Sequence, residues 1–417
     1  MKFETLSPEN LSSIFLALGI LLFSSFIFGK LFVFLKAPKV IGEIMGGFVL
    51  GASGLYLLFP EVISEIFLNF KEQGKILNIF YQLGLIFLMF IAGFNTQISF
   101  EKQNLKIISA LFIGATFIPI FAGYFFIDYF KESFLGVKGD DFSFSLVFLI
   151  AIAVTSIPVI SKIFFDIGII QTRFASVVLT TSTIQDLFLW IFLNLAINSA
   201  TQKEISLIDN LYTAALTIAL FVSVKFFANL LRKISFSISC VDFFTLSFVL
   251  LFLCVALLNT LHINPMYTSF LVGFLIKNIL HKHGELKEKM SGISNFAFSF
   301  FIPIYFALIG IQLNVIHEFS FLMFVLFTIL ACLFEFLGCY IALSFIKISN
   351  ISRINFAITM NARGGPGIVL SSVAFYYEII NVNFFTTLIL TTLISSMIAG
   401  YYLRYQKIKN LEGFSKF

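Results

Sequence analysis

The chain has 417 residues, 59% of them hydrophobic and only 12% charged, with a formal net charge of +5. A water-soluble domain cannot hide that much apolar surface, because its own exterior needs polar cover. The composition therefore excludes a soluble fold and points to a membrane protein.

The first ten residues, MKFETLSPEN, carry acids and no cationic leader, which argues against a cleaved secretory signal. A bilayer core about 30 Å thick needs about 20 apolar residues per crossing helix. On that rule the chain divides into thirteen transmembrane helices, near residues 11–29, 38–57, 76–96, 106–127, 143–163, 173–197, 207–229, 242–261, 264–280, 293–313, 319–346, 354–377 and 383–403. The fold class is thus an all-α polytopic membrane protein.

Taken in order, the second span starts at Pro38 and holds Glu43, near its cytoplasmic end, as an interface or structural acid. The fifth contains VTSIPVIS, with Thr155, Ser156 and Pro158. The sixth contains TTSTIQDLFLW, with Ser182, Gln185 and Asp186. Glu335 stands in the eleventh, and Arg363, Gly364, Gly365 and Pro366 in the NARGGPGIVLS stretch of the twelfth. Cys240, Cys254, Cys332 and Cys339 lie in apolar stretches without a paired CxxC spacing and read as packing residues. His262, His281, His283 and His317 sit at segment ends, and HKH at 281–283 reads as a solvated loop before a metal site.

Connecting segments alternate in charge. One set totals −7 and the other +14. Positive charge is retained on the cytoplasmic side, so the expected topology is N-out/C-in. The basic excess is accounted for by topology and implies no nucleic-acid partner. Thirteen spans also fit a 6+1+6 inverted repeat, in which an odd linker turns the second six over. Gly93 matches Gly310 between spans 3 and 10, the Pro38 and Pro265 starts match between spans 2 and 9, and mid-span prolines match between spans 5 and 12.

A proline removes a backbone donor. Inside a membrane that is tolerated where protein or a water-filled cavity serves the freed groups. Pro158 and Pro366, with Gly364 and Gly365, therefore read as crossed, broken helices that expose oxygens to an alkali cation. Asp186 is the acid buried beside them. A mid-membrane carboxylate costs at least ~2.5 kcal/mol, so its presence calls for a function. Ser182, one turn earlier on the same face, offers a second oxygen. Burial disfavours the charged carboxylate and a bound cation favours it, so one group can hold either a proton or a cation. Arg363 either stiffens the broken helix or balances charge when the ion leaves. Glu335 either pairs with Arg363 or, protonated, bonds to Gln185.

These stretches resemble the monovalent cation:proton antiporter family, in its sodium/proton and Kef-type potassium/proton branch. APKVIGEIMGGFVLGASGL, QLGLIFLMFIAGFNTQ, VTSIPVISKIFFDIG with TSTIQD, FIPIYFALIGIQLN and NARGGPGIVLSSVAF are similar to its signatures, in order. The resemblance implies exchange of Na+ or K+ for H+ by elevator-type alternating access. It implies a homodimer built from scaffold helices in 1–105 and 241–315, a mobile core in 106–200 and 316–405, a linker at 201–240 and a short cytoplasmic tail at 406–417. By motif matching, Asp186 is the ion and proton carrier, Thr155 and Ser156 flank the unwound stretch, and Ser182 assists. The expected place is a bacterial inner membrane. Two positions depart from the family pattern: Gln185 replaces the first acid of the Asp-Asp pair common in electrogenic members, and Glu335 replaces a lysine. One titrating acid implies electroneutral exchange. No GxGxxG unit follows the last span, so no regulatory nucleotide-binding domain in cis and no cofactor is expected. The rival readings are a sodium-coupled organic-anion symporter on a similar fold and a membrane sensor that does not transport. An intramembrane aspartyl protease needs two catalytic aspartates, and the chain has no GxGD motif.

Overall fold

The computed structural model describes residues 5–95, 104–170, 172–201, 207–233, 240–261, 263–280, 284–316, 319–409 and 414. His262, His281, His283 and His317 lie outside the described residues. Nineteen helices follow one another: α1 (Pro8–Phe34), α2 (Lys39–Leu50), α3 (Leu55–Leu58), α4 (Pro60–Phe67), α5 (Gln73–Asn95), α6 (Leu105–Tyr124), α7 (Ile127–Phe134), α8 (Asp141–Ala153), α9 (Ile157–Asp166), α10 (Arg173–Thr201), α11 (Leu207–Lys233), α12 (Cys240–Asn259), α13 (Pro265–Leu280), α14 (Gly284–Ser299), α15 (Phe301–Gln312), α16 (Phe321–Ser344), α17 (Asn350–Met360), α18 (Gly364–Tyr376) and α19 (Val382–Lys409). Among the described residues there is no strand, and a lone antiparallel bridge joins Leu135 to Ile380. Nine helices or helix pairs among them are long and apolar enough to cross a bilayer. The protein is therefore an integral, multi-pass membrane protein, as its composition requires.

Four of the expected spans are divided: 38–57 falls into α2 and α3, 293–313 into α14 and α15, and two more part at mid-span. Residues 143–163 become α8 and α9, separated at Val154–Ser156, and 354–377 become α17 and α18, separated at Asn361–Arg363. Both breaks fall before the proline. Pro158 is the second residue of α9 and Pro366 the third of α18. In the first turn of a helix a missing N–H costs nothing, because that donor has no partner inside the helix. Each proline thus starts a half-helix after the break.

The chain forms two compact units. The first comprises Met1–Asn95 and Val222–His317. Its helices approach through glycines. A Cβ on Gly47 would overlap the Ala307 backbone, and one on Gly310 would overlap Ile44, so α2 and α15 lie backbone against backbone. Gly93 and Gly273 do the same for α5 and α13, against Phe270 and Phe90. Glu43 is buried and ion-paired to Lys39 at 2.7 Å, a structural arrangement within one helix.

The second unit comprises Thr96–Phe221 and Glu318–Phe417. Here Gly114 of α6 and Gly338 of α16 face each other, and a Cβ on either would overlap the other's carbonyl. Phe164, Phe174, Phe356 and Phe414 belong to one buried apolar cluster of the unit, with Phe174 and Phe356 ring centroids 4.4 Å apart.

Candidate functional site

The two breaks meet inside the second unit. The Ser156 N–H donates to the Ala362 carbonyl at 2.7 Å. In return, the Gly365 N–H donates to Ser156 Oγ at 3.0 Å. The same Oγ accepts from Val159 N at 3.3 Å, the geometry of an N-cap for α9. The Gly364 N–H is served by Ser396 Oγ at 3.1 Å. Gly364 has φ of +32°, and a Cβ there would overlap the Ser156 side chain, so the crossing requires glycine at this position. Pro366 has no N–H to satisfy. The donors freed at the start of α18 are thus met by hydroxyls.

A charged network spans the same crossing. Arg363 is 1% exposed and Glu335 0%. Arg363 Nη2 donates to Glu335 Oε2 at 2.7 Å, to the Ile152 carbonyl at 2.9 Å and to the Ala331 carbonyl at 3.0 Å. Thr155 Oγ1 lies 2.9 Å from Glu335 Oε1 and 2.8 Å from the Met360 carbonyl. Of the two partnerships open to Glu335, the structure forms the one with Arg363. Gln185 is engaged elsewhere: its amide nitrogen donates to the Ala115 carbonyl at 3.0 Å and to the Ala153 carbonyl.

Asp186 is 5% exposed, and its Oδ1 has no hydrogen-bond partner among the described residues. It opens on a narrow pocket that it lines with Ile150 and Val154 from the end of α8, Leu189, Trp190 and Leu193 from α10, and Pro366 and Leu370 from α18. Asp186 and the two breaks are therefore brought together, through Val154 on one side and Pro366 on the other. Ser182 is fully buried, but its Oγ lies 3.8 Å from the Met360 sulfur, and neither it nor Thr155, Ser156 or Gln185 lines the pocket. The other side chains that line the pocket are apolar apart from the Trp190 ring, so the Asp186 carboxylate is the hard oxygen ligand it offers, of a kind that suits an alkali cation better than a soft metal. Among the described residues no group of three His, Cys, Asp or Glu side chains is arranged to hold a metal ion.

Seven participants carried no sequence signal. Ala115, Ile152, Ala153, Ala331, Met360 and Ala362 contribute main-chain oxygens, which any residue possesses. Ser396 is one hydroxyl among many in α19.

The fold and this crossing define a membrane carrier of the cation:proton antiporter class. The sodium/hydrogen exchanger transmembrane family matches residues 18–405, and the chain belongs to that family. It is similar to a Na+/H+ antiporter of Enterococcus hirae, 22% identical over 377 residues that cover 88% of this chain and 91% of the relative. It is 22% identical to the Na+/H+-K+ antiporter GerN of Bacillus cereus, covering 94% of this chain and 95% of that one. It is 28% identical to K+/H+ antiporter 1 of Saccharomyces cerevisiae over 68% of this chain, which spans about a third (33%) of that longer protein. Among solved structures, the sodium proton antiporter MjNhaP1 of Methanocaldococcus jannaschii superposes with a TM-score of 0.63 at 19% identity, covering 97% of both chains. The relatives are transporters, in keeping with a chain that is not an enzyme.

Proposed function

We propose that the protein exchanges Na+ or K+ for H+ at Asp186, one proton per cation, by elevator-type alternating access. The observation that carries the reading is a buried carboxylate with an unpartnered oxygen, facing the end of one broken helix and the start of another. A lone carboxylate in that setting must be neutralised, and a proton and a cation are alternative ways to do so. Thr155 and Ser156 hold the breaks open, Ser182 keeps α10 against α17, and Gln185 holds α10 to α6 and α8 through its amide.

Glu335 argues for electroneutrality. Both of its oxygens are engaged, one by Arg363 and the other by Thr155. A second acid locked in that way does not trade protons with the bath during each cycle, which leaves Asp186 as the titrating group.

The architecture we infer has thirteen spans in a 6+1+6 inverted repeat, N-out/C-in. The glycine contacts support it. A twofold that maps span 2 to span 9 and span 3 to span 10 carries the α2–α15 contact onto the α13–α5 contact, and it carries Gly114 against Gly338 onto itself. The unit with Asp186 corresponds to the mobile core expected at 106–200 and 316–405. The other corresponds to the scaffold at 1–105 and 241–315, with 201–240 linking them and 406–417 as the tail. We place a homodimer of this chain in a bacterial inner membrane.

Proteoliposomes containing a pH dye test the reading. Na+, K+ or Li+ added outside should enter in exchange for protons and alkalinise the lumen, without response to an imposed membrane potential. Asp186→Asn should abolish the signal. A full-size signal from Asp186→Asn would refute the assignment.

A further inference from the structure

Helix α6 contains a proline that the crossing does not use. Pro119 lies inside α6, where a residue without an N–H cannot donate to the carbonyl four positions back. That carbonyl belongs to Ala115, and Gln185 Nε2 donates to it at 3.0 Å. The same nitrogen donates to the carbonyl of Ala153, the last residue of α8, where the break at Val154 leaves it without a helical donor. One side-chain amide thus serves two main-chain oxygens, each orphaned by a helix irregularity. Gln185 and Ala115 are fully buried, and so is Ala153. No water is needed to satisfy either oxygen, and an unserved oxygen here costs its full desolvation penalty.

We propose that Gln185 is a positioning residue for the exchange site: its neutral amide pins α10 to α6 and α8 and so holds the adjacent Asp186 at the pocket. This rests on the assignment of Asp186 as carrier and explains why the neighbouring position is not a second acid. A carboxylate accepts hydrogen bonds and cannot donate unless protonated. At residue 185 it would face two carbonyl oxygens, and both contacts would become repulsive. The requirement is for a donor, so Pro119 and the Gln are coupled across 66 residues of chain.

The coupling is measurable as a double-mutant cycle. In Gln185→Glu the side chain keeps its shape but can donate one hydrogen bond only while protonated. Exchange should persist at acidic pH and fall at least about tenfold as pH rises, adding a limb that the wild type lacks. Adding Pro119→Ala gives residue 119 an N–H that reaches the Ala115 carbonyl, removing one of the two demands. The double variant should recover at least about threefold at alkaline pH relative to Gln185→Glu, with Pro119→Ala alone measured as the reference. The charged groups near the clamp are Asp186 on α10 and the Arg363–Glu335 pair, whose Arg363 holds Ile152 beside Ala153. Asp186→Asn in the Gln185→Glu background must therefore keep the pH dependence of thermal stability, although it has no exchange to report.

Gln185→Met supplies a second route if the Glu variant does not fold. It has the length of Gln and no donor, so its exchange should be low at every pH and should rise at least about threefold with Pro119→Ala. A wild-type pH profile in Gln185→Glu, or additivity of Pro119→Ala with both substitutions, overturns the proposal. If Asp186→Asn itself still exchanges, the carrier assignment fails instead, and the two outcomes are told apart by which variant keeps the dye signal.

Discussion

Arg363 sends one terminal nitrogen to three acceptors, and this geometry sets what can replace it. Its guanidinium stays charged in any environment, so a buried arginine is stable only with its partners in place. Removing one member of a buried pair leaves an uncompensated charge and costs roughly 3–5 kcal/mol. Glu335→Ala should accordingly lower thermal stability in detergent by that order, more than the loss of its side-chain contacts alone. Arg363→Lys should lose part of the same stability, because the lysine side chain is one bond shorter and its ammonium would have to reach Glu335, Ile152 and Ala331 from a different position. Thermal unfolding followed by native tryptophan fluorescence or size-exclusion recovery measures both, and a Glu335→Ala variant as stable as the wild type would show that the network is dispensable. The individual acids and the arginine were legible in the sequence because a charge in an apolar run is conspicuous. Their partners were not. The acceptors are mostly carbonyls, which leave no mark on composition, and nothing in the sequence links Pro119 to Gln185 until the Ala115 carbonyl is seen between them.

At the scale of elements, helix starts and stops explain how the breaks are held. Helix α8 begins on a reciprocal cap: Asp140 Oδ1 accepts from the Ser143 N–H at 2.6 Å, and the Asp140 N–H donates to Ser143 Oγ at 2.9 Å. Asp140 Oδ2 also accepts from Ser199 Oγ at 2.7 Å, which ties the start of α8 to the last turn of α10. Partial burial pushes the Asp140 carboxyl up, but the hydrogen bonds from Ser143 and Ser199 outweigh it and hold the group below its ordinary value. A carboxyl depressed in the folded state stabilises fully above its ordinary range, and that contribution is lost as pH falls through the lowered value. Asp140→Ala should cost about 1 kcal/mol at neutral pH, and the gap to wild type should close as pH drops below about 4. Asp140→Asn, which keeps a capping oxygen at every pH, should narrow the neutral-pH loss. A gap that is constant from pH 3 to 7 would remove the carboxylate from the account. The long helices were legible because apolar length is the dominant signal in a bilayer, and expected and observed limits agree closely for α5, α6 and α10. The short helices α3, α4 and α7 were not, because four to eight residues at a membrane surface carry too little apolar length to separate them from loops.

At the scale of the molecule, the decisive question is whether Asp186 meets both sides of the membrane. Alternating access requires two states, each opening the same carboxylate to one aqueous phase. Leu189 supplies a probe, since it lies three residues after Asp186 on the same helical face and lines the same pocket. With the four native cysteines replaced, Leu189→Cys should react with a membrane-impermeant thiol reagent applied from the outside of oriented vesicles, and in separate samples from the inside. At fixed pH, saturating cation should slow labelling from both sides, because a cation held at Asp186 occupies the pocket that Leu189 lines. Asp186→Asn in the same background should abolish that protection while leaving the cysteine reactive. Labelling from one face only, under every combination of cation and pH, would mean that the carboxylate never changes sides. The buried acid would then serve a one-sided site, and exchange by alternating access at Asp186 would have to be abandoned.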